Sequence, residues 1–188
     1  PDDKGLCFFY RGGKKMNTLD AIFSRRSVRK FKDEKLSEEA IHTILKAGMS
    51  GPTCVNARDW SFIVVDDLTL LKQMADANGK PAKLLEKAPL AILICGDTGK
   101  AFKMAKDYWI IDGAIAGQNM ILAAQDLGIG SVWLGTYPQM ERVQAQKELF
   151  NLPEDQVPHS IIAFGYPQEE KNESRDLYDQ TVVHYNKW

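Results

Sequence analysis

A chain of 188 residues, 44% of them hydrophobic, has the length of one domain with a sizeable core. A formal net charge of -1 leaves no uniformly basic surface and excludes a general nucleic-acid binder. The three cysteines form no C-x-x-C pair and the three histidines are scattered, which excludes a disulfide framework or structural metal centre and points to a reducing, cytoplasmic setting.

No apolar run reaches the roughly 18 residues of a membrane span, and Leu6-Cys7-Phe8-Phe9 is too short for the core of a secretory signal. Residues 1–15 therefore read as an extension ahead of an alternative start at Met16, with one domain over 16–188.

In chain order, Asn17 or Thr18 caps a short helix running to about Ser24. Arg25-Arg26-Ser27-Val28-Arg29 follows, three guanidiniums and a hydroxyl within five positions. Arg presents a rigid fork of donors that matches phosphate oxygens two at a time, and Ser adds a short-range donor. Alone, such a cluster also suits a solvated basic face. Positions 11–35 hold nine Lys/Arg against three acidic residues, an asymmetry that fits one small anion better than a polyanion.

Ser37, followed by Glu38 and Glu39, caps a second helix whose apolar face is Ile41, Ile44 and Leu45 and whose end is Gly48. After the loop Gly51-Pro52-Thr53-Cys54-Val55-Asn56, Trp60 to Val65 reads as a buried strand, and Pro89 to Cys95 as another, stopped by Gly96-Asp97. Ile111 to Leu127 is the longest helical pattern. Its Gly113, Ala114, Ala116, Gly117, Ala123 and Ala124 imply close backbone packing, since a helical Gly costs about 1 kcal/mol relative to Ala. Gly128 caps it, Ile129 to Leu134 forms a strand ending at Gly135, Pro138 to Phe150 a helix, and His159 to Phe164 a last strand before Gly165-Tyr166-Pro167. The polar tail carries Val182, Val183, Tyr185 and Trp188, so it should dock on something.

There is no G-x-G-x-x-G after the first strand, no P-loop and no G-x-S-x-G serine. No nucleophile or acid–base pair stands out. A cofactor that carries its own chemistry resolves this.

Together, Arg25-Arg26-Ser27-Val28-Arg29, Gly51 to Asn56 leading into Trp60-Ser61-Phe62, Asp112 to Trp133 with Gln118-Asn119 and Leu127 to Gly130, and Ala163 to Pro167 resemble the FMN-dependent nitroreductase family in its short form. The likeness spans Met16 to Trp188. It implies an α+β fold with a central, mainly antiparallel sheet flanked by helices, in a homodimer whose C-terminal tails are exchanged to extend the partner's sheet. FMN would sit at the interface, touched by both chains.

By the same resemblance Arg25, Arg26 and Ser27 contact the FMN phosphate and ribityl chain, and Arg29 lies near N1 and O2 of the ring. Pro52, Thr53, Cys54 and Asn56 belong to the loop donated by the partner, with Asn56 bonding the ring. Trp133, Leu134 and Gly135 form the strand end behind the flavin, with the Gly135 amide facing N5, and Arg175 returns to the phosphate. No protein residue is assigned a catalytic role and none a metal; the chemistry rests on flavin N5. The implied reaction is ping-pong, from NADH or NADPH to a nitroaromatic, quinone or enone. No ribose-reading residue distinguishes the two donors.

Two alternatives stand beside it: a non-catalytic flavin- or phosphate-binding module, and a dehalogenase or flavin-fragmenting enzyme of the same fold. The short stretch between Asp97 and Asp107 leaves little room for the large lid of the latter. The sequence departs from the family in the loop, where Asn-x-Gln-Pro-Trp becomes Asn56-Ala57-Arg58-Asp59-Trp60. Arg58 and Asp59 read as a charge pair at the cofactor's rim, and Cys54 as a packed small residue.

Overall fold

The computed structural model describes residues 16–169 and 173–188, so the expected extension at 1–15 lies outside the described residues. Helix α1 (Thr18–Ser24) starts where the Asn17 side chain accepts the Asp20 amide at 3.0 Å and the Asp20 carboxylate takes the Asn17 amide at 3.3 Å. Two donors that a helix start leaves orphaned are thereby satisfied. Helix α2 (Glu38–Met49) is capped by Ser37, whose hydroxyl accepts the Ala40 amide at 3.2 Å.

The expected end of α2 at Gly48 is corrected: the helix runs on to Met49, with Ser50 as its cap. Gly48 serves the packing instead, because a Cβ there would lie 2.4 Å from Met120 Cε on a neighbouring helix. That helix is α4 (Tyr108–Asp126). It begins three residues earlier than the small-residue pattern suggested, and Gly128, at φ +71, follows its end in the left-handed conformation that glycine adopts without strain.

Four strands form one antiparallel sheet in the order β1 (Trp60–Val65), β2 (Leu90–Asp97), β4 (Gln156–Gly165), β3 (Gly130–Gly135). In β2 every residue is buried, because helices cover both faces of the sheet. Leu90, Ile92 and Ile94 face α2 and α4, joining Ile44, Met120, Ile162 and Phe164. Ala91, Leu93 and Cys95 face the opposite layer. That layer includes Leu71 and Met74 of α3 (Leu68–Asn78) and Leu85 of the 3-10 turn Lys80–Lys87. Helix α5 (Met140–Leu149) packs against α3 and β4.

Several expectations shift here. The sequence reading omitted α3, although Asp67 caps it by accepting the Leu70 amide at 2.8 Å. Trp60 to Val65 is not a buried strand but a largely half-buried one, since β1 is an edge and Val64 faces outward. Gly96-Asp97 does not stop β2. Gly96 pairs with Trp60 on one side and Val157 on the other, which also draws the start of β4 back to Gln156. Helix α5 starts at Met140 rather than Pro138, which lies in a turn closed by the Gln139 amide on Thr136 O at 3.0 Å.

The small residues of α4 lie where rings press on the helix. A Cβ on Gly117 would meet Trp133 Cζ3 at 2.3 Å, and one on Gly113 would meet His159 at 3.3 Å. The tail finds little cover among the described residues: Val182 is 72% exposed, Tyr185 78% and Trp188 fully. Among the described residues, no helix is long and apolar enough to cross a membrane.

Candidate functional site

Helix α1 ends at Arg25, where the backbone turns to φ -54, ψ 141 and becomes extended. Ser27 then bridges Ser131 of β3 in parallel, and the Val28 amide donates to Ser131 O at 2.9 Å. Gly130 makes this approach possible, because a Cβ there would stand 2.7 Å from Val28 Cγ2. The arginine run is thereby laid along the outer edge of the sheet.

The Arg26 guanidinium donates to the carbonyls of Phe23 (3.3 Å), Ser24 (2.7 Å) and Arg25 (3.1 Å), and to that of Glu173 in the tail. It closes the C-terminal end of α1, where a cation is favourable. Arg175 reaches the same place, its amide donating to Phe23 O at 3.3 Å and its guanidinium to Arg25 O at 3.2 Å. Arg29 is exposed and donates to Ser27 O at 3.3 Å. Among the described residues no carboxylate forms an ion pair with any of these four arginines. Burial first, then the charges of Arg175 and Arg25, lower the Arg26 pKa from its ordinary value, with Glu173 opposing. Among the described residues the cluster is a concentration of positive charge bonded to carbonyl oxygens, with no carboxylate in direct ion-pair contact.

Strand β3 presents its outer edge beside this cluster. In an antiparallel ladder, alternate residues turn their N–H and C=O away from the partner strand. Ser131 O accepts Val28, which sets Ser131, Trp133 and Gly135 on the outward phase. The Gly135 carbonyl agrees, accepting from Asn78 Nδ2 at 3.2 Å and an Arg142 guanidinium nitrogen at 3.0 Å. The buried Asn78 is fixed in turn by the Thr136 hydroxyl, which donates to it at 2.8 Å. On this phase the Gly135 amide faces outward, and a Cβ at Gly135 would meet nothing within 4 Å. Trp133 lies over Gly117 on the α4 side, while Leu134 points into the opposite layer.

The loop 52–58 is elsewhere, over the N-terminal half of α4. Its Cys54 amide donates to Asp112 Oδ2 at 2.9 Å, and the Arg58 amide to Thr53 Oγ1 at 3.0 Å. Val55 (φ 47), Asn56 (φ 58) and Arg58 (φ 51) are all left-handed, a conformation that costs a non-glycine residue about 1–3 kcal/mol. Asn56 is exposed and its side-chain oxygen accepts Arg58 Nε at 3.3 Å. The expected Arg58–Asp59 charge pair is corrected: Asp59 is fully buried and faces Asp112, not Arg58. Both Asp59 carboxyl oxygens lack a donor among the described residues. Burial, then the Asp112 carboxyl and the charge of Asp97, push the Asp59 carboxyl up to about 6.

Arg25, Arg26, Ser27, Arg29, Arg175, Trp133, Leu134 and Gly135 thus share one edge of the chain. Pro52, Thr53, Cys54 and Asn56 do not join them: no hydrogen bond or ion pair among the described residues links loop 52–58 to that edge. Sequence reasoning missed Asn78 and Arg142, which hold the Gly135 carbonyl, and the Asp59–Asp112 pair. Asn78 closes α3 directly before Gly79 in no recognisable motif, and the two aspartates lie far apart in sequence.

The family model described as the nitroreductase family matches residues 22–90 and 78–166. A Methanothermobacter thermautotrophicus protein, provisionally named an NADH dehydrogenase/NAD(P)H nitroreductase, is 41% identical over 174 residues, covering 93% of this chain and 89% of its own. A solved Bacteroides thetaiotaomicron protein with the same provisional name superposes with a TM-score of 0.84 at 38% identity, over 91% of this chain and 98% of that one. An FMN-dependent nitroreductase from Clostridium difficile gives a TM-score of 0.81 at 33% identity, over 91% and 98%. The chain belongs to the nitroreductase family.

Proposed function

We propose that this protein is a homodimeric, FMN-dependent oxidoreductase of the cytoplasm, with residues 16–188 as its cofactor-binding domain and 1–15 as an extension. The observation that carries this reading is the arginine cluster, ion-paired to no carboxylate among the described residues and laid beside the open, outward-facing amide of Gly135. The chemistry that FMN would supply there is ping-pong electron transfer from NADH or NADPH to a nitroaromatic, quinone or enone acceptor.

The residues fit that group. A phosphate dianion would supply the counter-charge that Arg25, Arg26 and Arg175 find on no described carboxylate, the guanidiniums and the Ser27 hydroxyl serving as its donors. Trp133 and Leu134 make the backing of the site rigid, and the Gly135 amide, held by Asn78 and Arg142 through its carbonyl, offers a fixed donor to the ring. Arg29 supplies a fixed cation where reduction adds negative charge, which favours the reduced state. Pro52, Thr53, Cys54 and Asn56 sit apart from this edge within one protomer, so they are assigned to the site of the second copy.

The test is the visible spectrum of the purified protein, followed by anaerobic addition of NADH or NADPH. A yellow protein bleached by a nicotinamide is expected. A yellow protein that no nicotinamide reduces would be a binding module, and a protein that stays colourless after incubation with FMN would end the flavin reading.

Two variants separate adhesion from electronic tuning. Arg29→Ala removes a charge-assisted contact worth roughly 1.5–3 kcal/mol in the reduced state, which corresponds to a fall of roughly 30–65 mV in the two-electron midpoint potential. Arg26→Ala is expected to loosen FMN and the end of α1 while leaving the potential of retained flavin near that of the wild type. Midpoint potentials of the FMN-saturated variants decide this, and an unchanged potential in Arg29→Ala would make Arg29 another phosphate contact.

A further inference from the structure

We propose that Asp59 and Asp112 are positioning residues: one proton, carried by Asp59 and donated to Asp112, locks loop 52–58 in the strained conformation that presents Thr53, Cys54 and Asn56 outward. Asp59 immediately precedes β1, and its carbonyl accepts the Asp97 amide at 2.8 Å, which pins its backbone to the end of β2. Asp112 projects from α4 and is 2% exposed. Its Oδ2 holds the Cys54 amide, the only hydrogen bond between the tip of the loop and α4 among the described residues.

Two ionised carboxylates buried side by side repel each other, and neither Asp59 oxygen finds a donor among the described residues. With the proton on Asp59, the contact becomes an O–H donated to the Asp112 carboxyl group, whose Oδ2 also accepts the Cys54 amide. Three left-handed non-glycine residues require such an anchor, because their strain favours relaxation of the loop. When the proton leaves to solvent, repulsion pushes the base of the loop away from the group that holds its tip.

The charged groups around the pair are few. Asp97, at the end of β2, adds negative charge on that side but is itself paired with Lys100 at 2.7 Å. Arg58 lies on the loop, exposed and turned to Asn56, so it offers Asp59 no counter-charge. From α4 the facing group is Asp112. The sheet face behind Gly113 carries His159, whose pKa burial lowers while a bond to the Ile110 backbone opposes. All of this favours retention of the proton on Asp59, in line with its carboxyl standing at about 6.

The sign follows from that position. The folded state holds the Asp59 proton up to about pH 6, whereas an unfolded chain releases it near its ordinary 3.8. The stabilisation is therefore fully present below about pH 4 and is lost as pH rises through about 6. Asp59→Asn replaces the shared proton with an amide N–H that cannot leave.

The proposal rests on the reading above for its effect on FMN, so two measurements are made on the full chain between pH 4 and 8: denaturant unfolding of the FMN-free protein, and FMN affinity by flavin fluorescence. The folding constant of the wild type relative to Asp59→Asn is expected to fall roughly a hundredfold from pH 4 to 7. The FMN affinity of the wild type relative to the variant is expected to fall about tenfold or more over the upper half of the range. Taking the ratio at each pH cancels the ionisation of the FMN phosphate itself. Asp112→Asn serves if Asp59→Asn does not fold, with the same two readouts.

A ratio of folding constants that is flat with pH would overturn the shared proton. A sloping folding ratio with a flat FMN ratio would overturn the positioning role and leave a pair that acts on stability alone. A wild type that binds no FMN at any pH would end the flavin reading, while the unfolding arm would still judge the proton.

Discussion

If the proposed homodimer exchanges its tails, a chain ending at Thr181 should lose both the dimer and FMN. The removed segment carries Val182, Val183, Tyr185 and Trp188, none of them buried in the protomer, and His184 packs on Trp188 at a ring separation of 4.2 Å. Full burial of a large apolar side chain is worth roughly 1.5–3 kcal/mol, so four of them against a partner amount to several kcal/mol per tail. Realising even half of that would strengthen dimerisation roughly a hundredfold or more. Glu173 and Arg175, just upstream, tie the tail to the end of α1, so its loss also loosens the arginine cluster. Light scattering and the flavin absorbance of the truncated protein measure both effects. A truncated chain that remains dimeric and yellow would refute the exchange of tails.

Gly96→Ala should cost about 3 kcal/mol, at the upper end of what overpacking a core usually costs. The new methyl would stand 2.1 Å from Trp109 Cε3 and 2.5 Å from Cδ2, atoms of a rigid fused ring. Trp109 cannot swing aside freely, because Tyr137 and His159 meet it edge-on at 5.0 and 5.9 Å. The backbone cannot yield either, since β2 is bonded on both sides. For a chain of this length such a loss corresponds to a fall in Tm of roughly 6–12 °C, readable by calorimetry of the FMN-free protein. His159 also meets Trp133 at 5.7 Å, so the disturbance leads toward the strand edge assigned to the cofactor. A change in Tm under 2 °C would mean that the Trp109 stack is freer to move than its packing implies.

Local chemistry carried the reading of the fold a long way. Ser37 caps the helix it was expected to cap and Asn17, one of two candidates with Thr18, caps the other, because a cap acts between a side chain and an amide three residues on. The small residues of α4 announced a close approach, and Trp133 and His159 make it. Helix α3 was equally available: Asp67 is a cap, and Leu71, Met74, Ala75 and Asn78 repeat at helical spacing. The end of α2 was misplaced for a different reason. A glycine reads as a stop signal, yet Gly48 is small in order to accommodate Met120, a requirement that arises only when two helices cross.

What the sequence by itself determined was most of the elements, the arginine run and, through the family likeness, an α+β fold. These depend on periodicity, caps and residue type within a few positions, where covalent geometry sets who can meet whom. Only the tertiary structure decided that Asp59 faces Asp112 rather than its neighbour Arg58, because burial of the start of β1 turns that carboxyl inward while the long arginine stays in water. It also decided that Gly135 turns its amide outward, since the phase of an edge strand is set by which residues its neighbours bind. Such pairings join segments far apart in the chain. Their free energy comes from excluding water and matching donors across the packed sheet, which no local pattern encodes.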